Sequence, residues 1–152
     1  MPAFSLSGSD TCIIAGLNTL TDVADGDWFT MTYENTLAEI KTGKNGNSLF
    51  ASNAMGAQGV ATLRLIRGSY DDRALDSLLQ QQLQDFSRFV TLSGTFTKAV
   101  GDGSGNVTLD QYVANGGVFT HNVDAKSNAE ADTEQSVSVY RFKFANVQRV
   151  LN

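Results

Sequence analysis

The sequence predicts a mainly β fold, a sandwich or barrel of antiparallel strands with one flanking amphipathic α-helix at about 71–89. Three observations predict it. Most of the chain alternates apolar and polar residues with period two, in runs rich in Thr, Val and aromatics. One segment switches to apolar spacing by three and four. Gly, Asn, Asp and Ser cluster between the runs, as turns require. At 152 residues the chain reads as a single domain, 1–152, large enough to bury a core.

The elements follow in order. Asp25-Gly26-Asp27 form a turn before the strand WFTMTYE, where Phe29, Met31 and Tyr33 point one way and Trp28, Thr30 and Thr32 the other. In VATLRLIR, Ala61, Leu63 and Leu65 share a face opposite Val60, Thr62, Arg64 and Ile66. From Asp71 to Phe89 the spacing predicts a helix, with Ser69 or Asp71 as cap. Leu75, Leu79, Leu83 and Phe86 are expected to face the sheet, and the Gln-rich side to face outward. In VTLSGTFTK, Val90, Leu92 and Phe96 oppose Thr91, Ser93, Thr95 and Thr97. The closing strand, SVSVYRFKFA, sets Ser138, Tyr140, Phe142 and Phe144 against Val137, Val139, Arg141 and Lys143.

Between the last strands lies GDGSGNVTL, Gly101 to Leu109, which has the look of a calcium loop. Counting from Asp102, the position that needs Gly is Val107 and the position that needs Glu is Val113. No Gly-Lys-Ser/Thr follows the glycines, so a phosphate loop fails too. The segment is a turn between strands Thr95–Val100 and Val107–Val113, with glycines for positive φ.

Two long segments lack a strand pattern. Residues 42–59 are dominated by Gly, Asn, Ser and Ala, yet carry Leu49, Phe50 and Met55. A flexible loop cannot bury such side chains by itself, so the segment reads as an inter-subunit arm with these three as anchors. Residues 121–135 are polar, with Asp124, Glu130, Asp132 and Glu134 against Lys126. They read as a solvated loop, or one ordered only by assembly.

Composition narrows the function. Sixteen acids against eleven Lys and Arg give a net charge of −5, with no basic run. Tight, sequence-reading contact with nucleic acid is not expected, because such contact rests on clustered cations. Cys12 and His121 are each alone, so neither a disulfide framework nor a Cys or His metal site is expected. The pairs Asp25/Asp27 and Asp71-Asp72 fit a turn and a helix N-terminus better than acid–base chemistry. No serine lies in a nucleophile elbow, so no enzyme signature and no cofactor are expected. The first residues, MPAFSLSGSD, lack the pattern of a signal peptide, and no apolar run approaches a membrane span. A soluble, cytoplasm-made protein is the expectation.

The run from Asp22 to Phe96 resembles the tail tube proteins of contractile-tailed bacteriophages. The features that carry it are Asp25-Gly26-Asp27, alternate Thr30 and Thr32, the loop with Ser52-Asn53, Gly56 and Gly59, the strand with Thr62-Leu63, and Ser69 with Asp71-Asp72 before a Leu-rich helix. The closing strand, residues 136–146, fits more loosely, and 102–135 is longer than the family pattern. The resemblance implies a structural virion protein of the tail, assembled in the host cytoplasm. Hexameric rings of copies would stack into a tube, their inner sheets joined, with DNA passing through the lumen without specific binding. Tail sheath, tape measure and baseplate proteins are its implied partners. The competing reading is a monomeric β-sandwich binding module that holds a ligand through its long loops, with Trp28 and Tyr33 available to stack on a sugar. A small hydrolase using His121 has the least support.

Overall fold

Period-two alternation becomes one antiparallel sheet whose inner residues are those the pattern selects. The computed structural model describes residues 4–6, 10–14, 19–24, 27–125 and 136–152. Its elements are β1 (Ser5–Leu6), β2 (Thr11–Ile14), β3 (Phe29–Tyr33), β4 (Ala38–Thr42), β5 (Ser48–Ser52), a 3-10 turn (Ala54–Ala57), β6 (Gly59–Ile66), α1 (Tyr70–Gln84), a second 3-10 turn (Phe86–Arg88), β7 (Leu92–Gly101), β8 (Val107–Phe119), β9 (Asp124–Ala125) and β10 (Val137–Leu151). The main sheet has the order β1-β7-β8-β10-β6-β3, with β2 also on β7 and β9 also on β10. Among the described residues, strands β4 and β5 pair only with each other. The protein is mainly β, antiparallel and sandwich-like, with one α-helix among the described residues.

The sheet curls on itself. Phe29 of β3 stacks on Phe96 of β7 with ring centroids 4.1 Å apart, although three strands separate them in the sheet. Between the two ends lie Leu63 and Leu65 of β6, Tyr140, Phe142 and Phe144 of β10, and Leu75 and Leu79 of α1, all buried. Ala61, Leu63 and Leu65 turn inward as the alternation requires, and so do Ser138, Tyr140, Phe142 and Phe144. Val90 does not: it precedes β7 and is exposed.

Two strands change phase at one level. On β10 the buried side passes from Phe144 to Val147, and on the facing β8 from Gly117 to Ala114, while their pairing stays in register. Gly116 adopts φ 68°, a left-handed conformation that glycine takes without a Cβ penalty. At Gly117 a Cβ would lie 2.4 Å from Phe144 Cε1, so glycine is what lets this ring seat. The β7–β8 register shifts here too, between Leu92 and Gly94. Such irregularities bend a sheet and let one strand serve both layers. Strands β8 and β10 are therefore longer than their alternation suggests.

Helix α1 is shorter than the expected 71–89. Ser69 caps it, its hydroxyl accepting from the Asp72 N–H at 3.2 Å. Asp85 then takes an extended conformation, and its carboxylate accepts from the Ser87 N–H and hydroxyl. That local bonding competes with further helix and ends it. Leu83 and Phe86, expected against the sheet, are 57% and 64% exposed. Steps of four drift around a helix by about 40° each, because four residues exceed one turn of 3.6. By position 83 the inward place has passed to Gln82, whose amide donates to the Phe119 carbonyl at 2.8 Å and accepts from its N–H at 2.9 Å.

The Asp-Asp pair serves structure. Asp71 accepts from the N–H groups of Thr21 and Asp22, both at 2.8 Å. Asp72 accepts from Gly68 N–H at 2.8 Å, from the Ser138 hydroxyl at 3.1 Å and from the Tyr140 hydroxyl. One carboxylate thus ties the start of α1 to the closing strand.

Cys12 is fully buried against Phe96 on the neighbouring strand. Burial, with Asp71 adding to it, pushes its thiol from an ordinary 9.0 up to about 12. Below pH 9 folded and unfolded chains hold the same proton. Between pH 9 and about 12 the unfolded thiol ionises first, so stability falls by up to ~1.4 kcal/mol per pH unit. Urea titrations across that window are expected to show a shallower fall for Cys12→Ala. At pH 8 a thiol reagent should modify the native protein only at its unfolding rate; rapid labelling would contradict this.

Candidate functional site

The segment expected to be a structureless arm is a β-hairpin that starts earlier. Ala38–Thr42 pairs with Ser48–Ser52, and the turn closes through Gly43 N–H to the Asn47 carbonyl at 2.7 Å, with Gly46 at φ 83°. At the root, Asn53 N–H donates to the Leu37 carbonyl at 2.7 Å. All ten strand residues of this ribbon are exposed. Leu37 is 73% exposed, Ile40 65%, Leu49 66% and Phe50 73%. An isolated two-stranded ribbon is marginal in water, and this one, with apolar side chains on both faces, has no stabilising surface among the described residues.

Of the three expected anchors, Leu49 and Phe50 are adjacent on one strand and so point to opposite faces. Phe50 sits opposite Ile40, and Leu49 opposite Lys41. One face therefore carries the Ile40–Phe50 pair and Ala38 among the hydroxyls of Thr42, Ser48 and Ser52, and the other is mixed, with Glu39, Lys41, Leu49 and Ala51. Met55 lies in the 3-10 turn at the root, away from both strands; its side chain is outside the described residues. Sequence reasoning missed Leu37 and Ile40. The alternation in AEIKT was present but only five residues long, and the pairing that gives it meaning lies farther down the chain, across the turn.

Beside the root is an open cavity of about 480 Å³, lined by Tyr33, Leu37, Gly56, Ala57 and Val147, with Arg149 at its edge. A second cleft of about 340 Å³ opens where the ends of the curled sheet face each other. Trp28, Phe29, Phe96 and Tyr112 line it, with Asp10, Asp27, Asp110 and Lys98. Asp10 pairs with Lys98 at 2.9 Å, and Asp110 accepts from Arg149 Nε and Nη2, each at 2.9 Å. The Arg149 hydrogen bonds hold the Asp110 carboxyl below its ordinary range. Trp28 and Tyr33 line different cavities and do not form one stacking platform.

The face of β3, β6 and β10 turned away from the core is open. It carries Thr30, Thr32 and Thr62, and three cations, Arg64, Arg141 and Lys143. Each cation is engaged. Arg64 donates to the Asp27 carbonyl at 3.5 Å, Arg141 pairs with Asp124, and Lys143 lies 3.4 Å from Glu34. The acidic excess of the chain is not on this face among the described residues.

The remaining sequence candidates resolve into local bonding. Asp102 accepts from Ser104 N–H at 2.7 Å, Asn106 N–H at 3.2 Å and the Asn106 amide at 3.0 Å, which holds its carboxyl below the ordinary range. Gly103 and Gly105 take φ 81° and 91°, as the turn requires. His121 is exposed, its Nδ1 3.0 Å from the Thr120 hydroxyl. Asp25, and the loop acids Glu130, Asp132 and Glu134, lie outside the described residues; Asp124–Ala125 at the start of that loop pairs with β10. Among the described residues no group of three or more His, Cys, Asp and Glu is disposed to hold a metal, and no helix is long and apolar enough to cross a membrane. The chain matches no model of a known protein family, and a search of curated proteins finds no match to it.

Proposed function

We propose that this chain is a structural subunit that polymerises with copies of itself into stacked hexameric rings, the inner tail tube of a contractile-tailed phage, through which DNA is ejected. The observation that carries the reading is the projecting hairpin, whose exposed Ile40–Phe50 pair has no covering surface within the described residues. A segment of that kind gains its stability from a second molecule. The sheet supports the same reading, because β3 ends it on one side and the short β1 and β2 on the other. Neither edge has a further strand partner among the described residues, and a neighbouring copy would cover such edges. The tail-tube resemblance of residues 22–96 supplies the ring, the lumen, and the sheath, tape measure and baseplate partners. Exposed Leu83 and Phe86, at the far end of α1, offer a surface to a surrounding sheath.

Electron microscopy and native mass measurement of the concentrated protein test this. Rings or tubes are the expected result. A monomer that persists at high concentration overturns it.

The second cleft favours the other reading, a monomeric binding module, since Trp28 and Tyr112 line it beside charged and hydroxyl groups. That reading requires a stable monomer and saturable quenching of Trp28, the single tryptophan, by a saccharide.

A further inference from the structure

We infer that Glu34 and Asp124 act as charge clamps, which keep the open face of β3, β6 and β10 from retaining a polyanion. The inference rests on the tube reading, with this face turned to the channel. Arg141 and Lys143 are two apart on one strand, so both side chains stand on the same face. Thr62 lies beside Arg141 and Val60 beside Lys143 on the neighbouring strand, while Arg64 is opposite Val139. Three cations therefore share one face with Thr30, Thr32 and Thr62 and with Val60, Ile66, Val137 and Val139, and repetition around a ring would line a channel with them.

Left free, such a row would hold phosphates, because each cation that neutralises one releases a condensed counterion. The two carboxylates prevent this. Asp124 reaches Arg141 from β9, which adds to β10 at Ser138 and Val139. Glu34, immediately after β3, reaches Lys143 across β6. Both acids come from outside the strand that holds the cations, at opposite sides of it. Arg64 is held by the Asp27 carbonyl. The pairs are exposed and contribute little to stability. Their effect is on local charge, since a paired cation offers a phosphate much less than a free one.

The arrangement makes a specific prediction for the double variant Glu34→Gln/Asp124→Asn. The probe is duplex DNA immobilised on a column at low salt, where attraction between charges is strongest, and the protein is loaded dilute, as unassembled subunits, so that the face is accessible. The wild-type protein is expected in the flow-through. The double variant is expected to be retained and to elute with salt. Its slope of log affinity against log salt should steepen by about 0.9 for each freed cation that meets a phosphate. Adding Arg141→Gln and Lys143→Gln should abolish the retention. A control, Glu39→Gln/Asp76→Asn, has the same net charge as the double variant but leaves the clamps intact, and should flow through.

Circular dichroism establishes that each variant is folded, and the single clamp variants should elute between wild type and double. Retention of the wild type, equal retention of the control, or flow-through of the folded double variant each overturns the inference. Micrographs of the same proteins, concentrated, report on tubes separately. Absent tubes would remove the tube reading and its channel, whereas the column judges the clamps.

Discussion

Replacing Ile40 and Phe50 together with serine is expected to leave a folded subunit that no longer forms rings or tubes. Both side chains stand on one face of the hairpin as cross-strand partners, and both are largely exposed. Burying such side chains against a neighbour is worth ~1.5–3 kcal/mol each. Losing two weakens each subunit contact by roughly 10²–10⁴-fold. The core lies elsewhere, so the urea midpoint should move little. Leu49→Ser tests the other face, where Lys41 sits opposite, and should weaken assembly less. Unchanged tubes in the Ile40/Phe50 variant would refute the hairpin as the assembling element.

Asp72→Ala is expected to destabilise the fold, and more than either hairpin substitution. The carboxylate accepts from Gly68 N–H, the Ser138 hydroxyl and the Tyr140 hydroxyl, and both Ser138 and Tyr140 are buried. Removing the carboxylate takes this acceptor from the buried Ser138 hydroxyl and from Gly68 N–H, whereas the Tyr140 hydroxyl keeps the Asp72 backbone carbonyl at 2.9 Å, so the cost is about 1–3 kcal/mol. Tyr140→Phe removes a donor and leaves the carboxylate its other partners, so it should cost about 1 kcal/mol. Urea unfolding of the two variants gives the comparison; equal losses would mean that the bond to Tyr140 alone carries what Asp72 contributes, and that Ser138 and Gly68 add nothing. The phenol adds a pH signature. Burial first, then the Asp72 hydrogen bond, push the Tyr140 hydroxyl above its ordinary 10.0. Its contribution is complete below pH 10 and is lost as pH rises beyond it, because the unfolded phenol ionises while the folded one keeps its proton. Tyr140→Phe should remove that alkaline loss.

The two sites mark two kinds of legibility. Asp72 was readable as a residue of the helix start, from its place after Ser69, but not as a hub, because its partners lie 66 and 68 residues away. The hairpin was readable as an apolar segment without a home. Its first strand was not, since five alternating residues gain meaning only opposite Ser48–Ser52.

The sequence by itself determined which side of β6 and β10 turns inward. Alternation is a property of each strand's own geometry, and Ala61 to Leu65 and Ser138 to Phe144 needed no partner to declare it. It also determined the turn at Gly101–Leu109, where a glycine or an Asx residue acts on its own backbone. The tertiary structure decided everything that depends on what a residue meets. Gln82 and not Leu83 faces the sheet, because the backbone of Phe119 waits there. Strands β8 and β10 run on past a change of face, because Gly116 and Gly117 let the sheet bend around Phe144. Arg141 and Lys143 are neutralised where they stand, because curling and pairing bring Asp124 and Glu34 to them from distant sequence. Charge and exposure belong to places in the fold, and a place exists only once the chain has closed on itself.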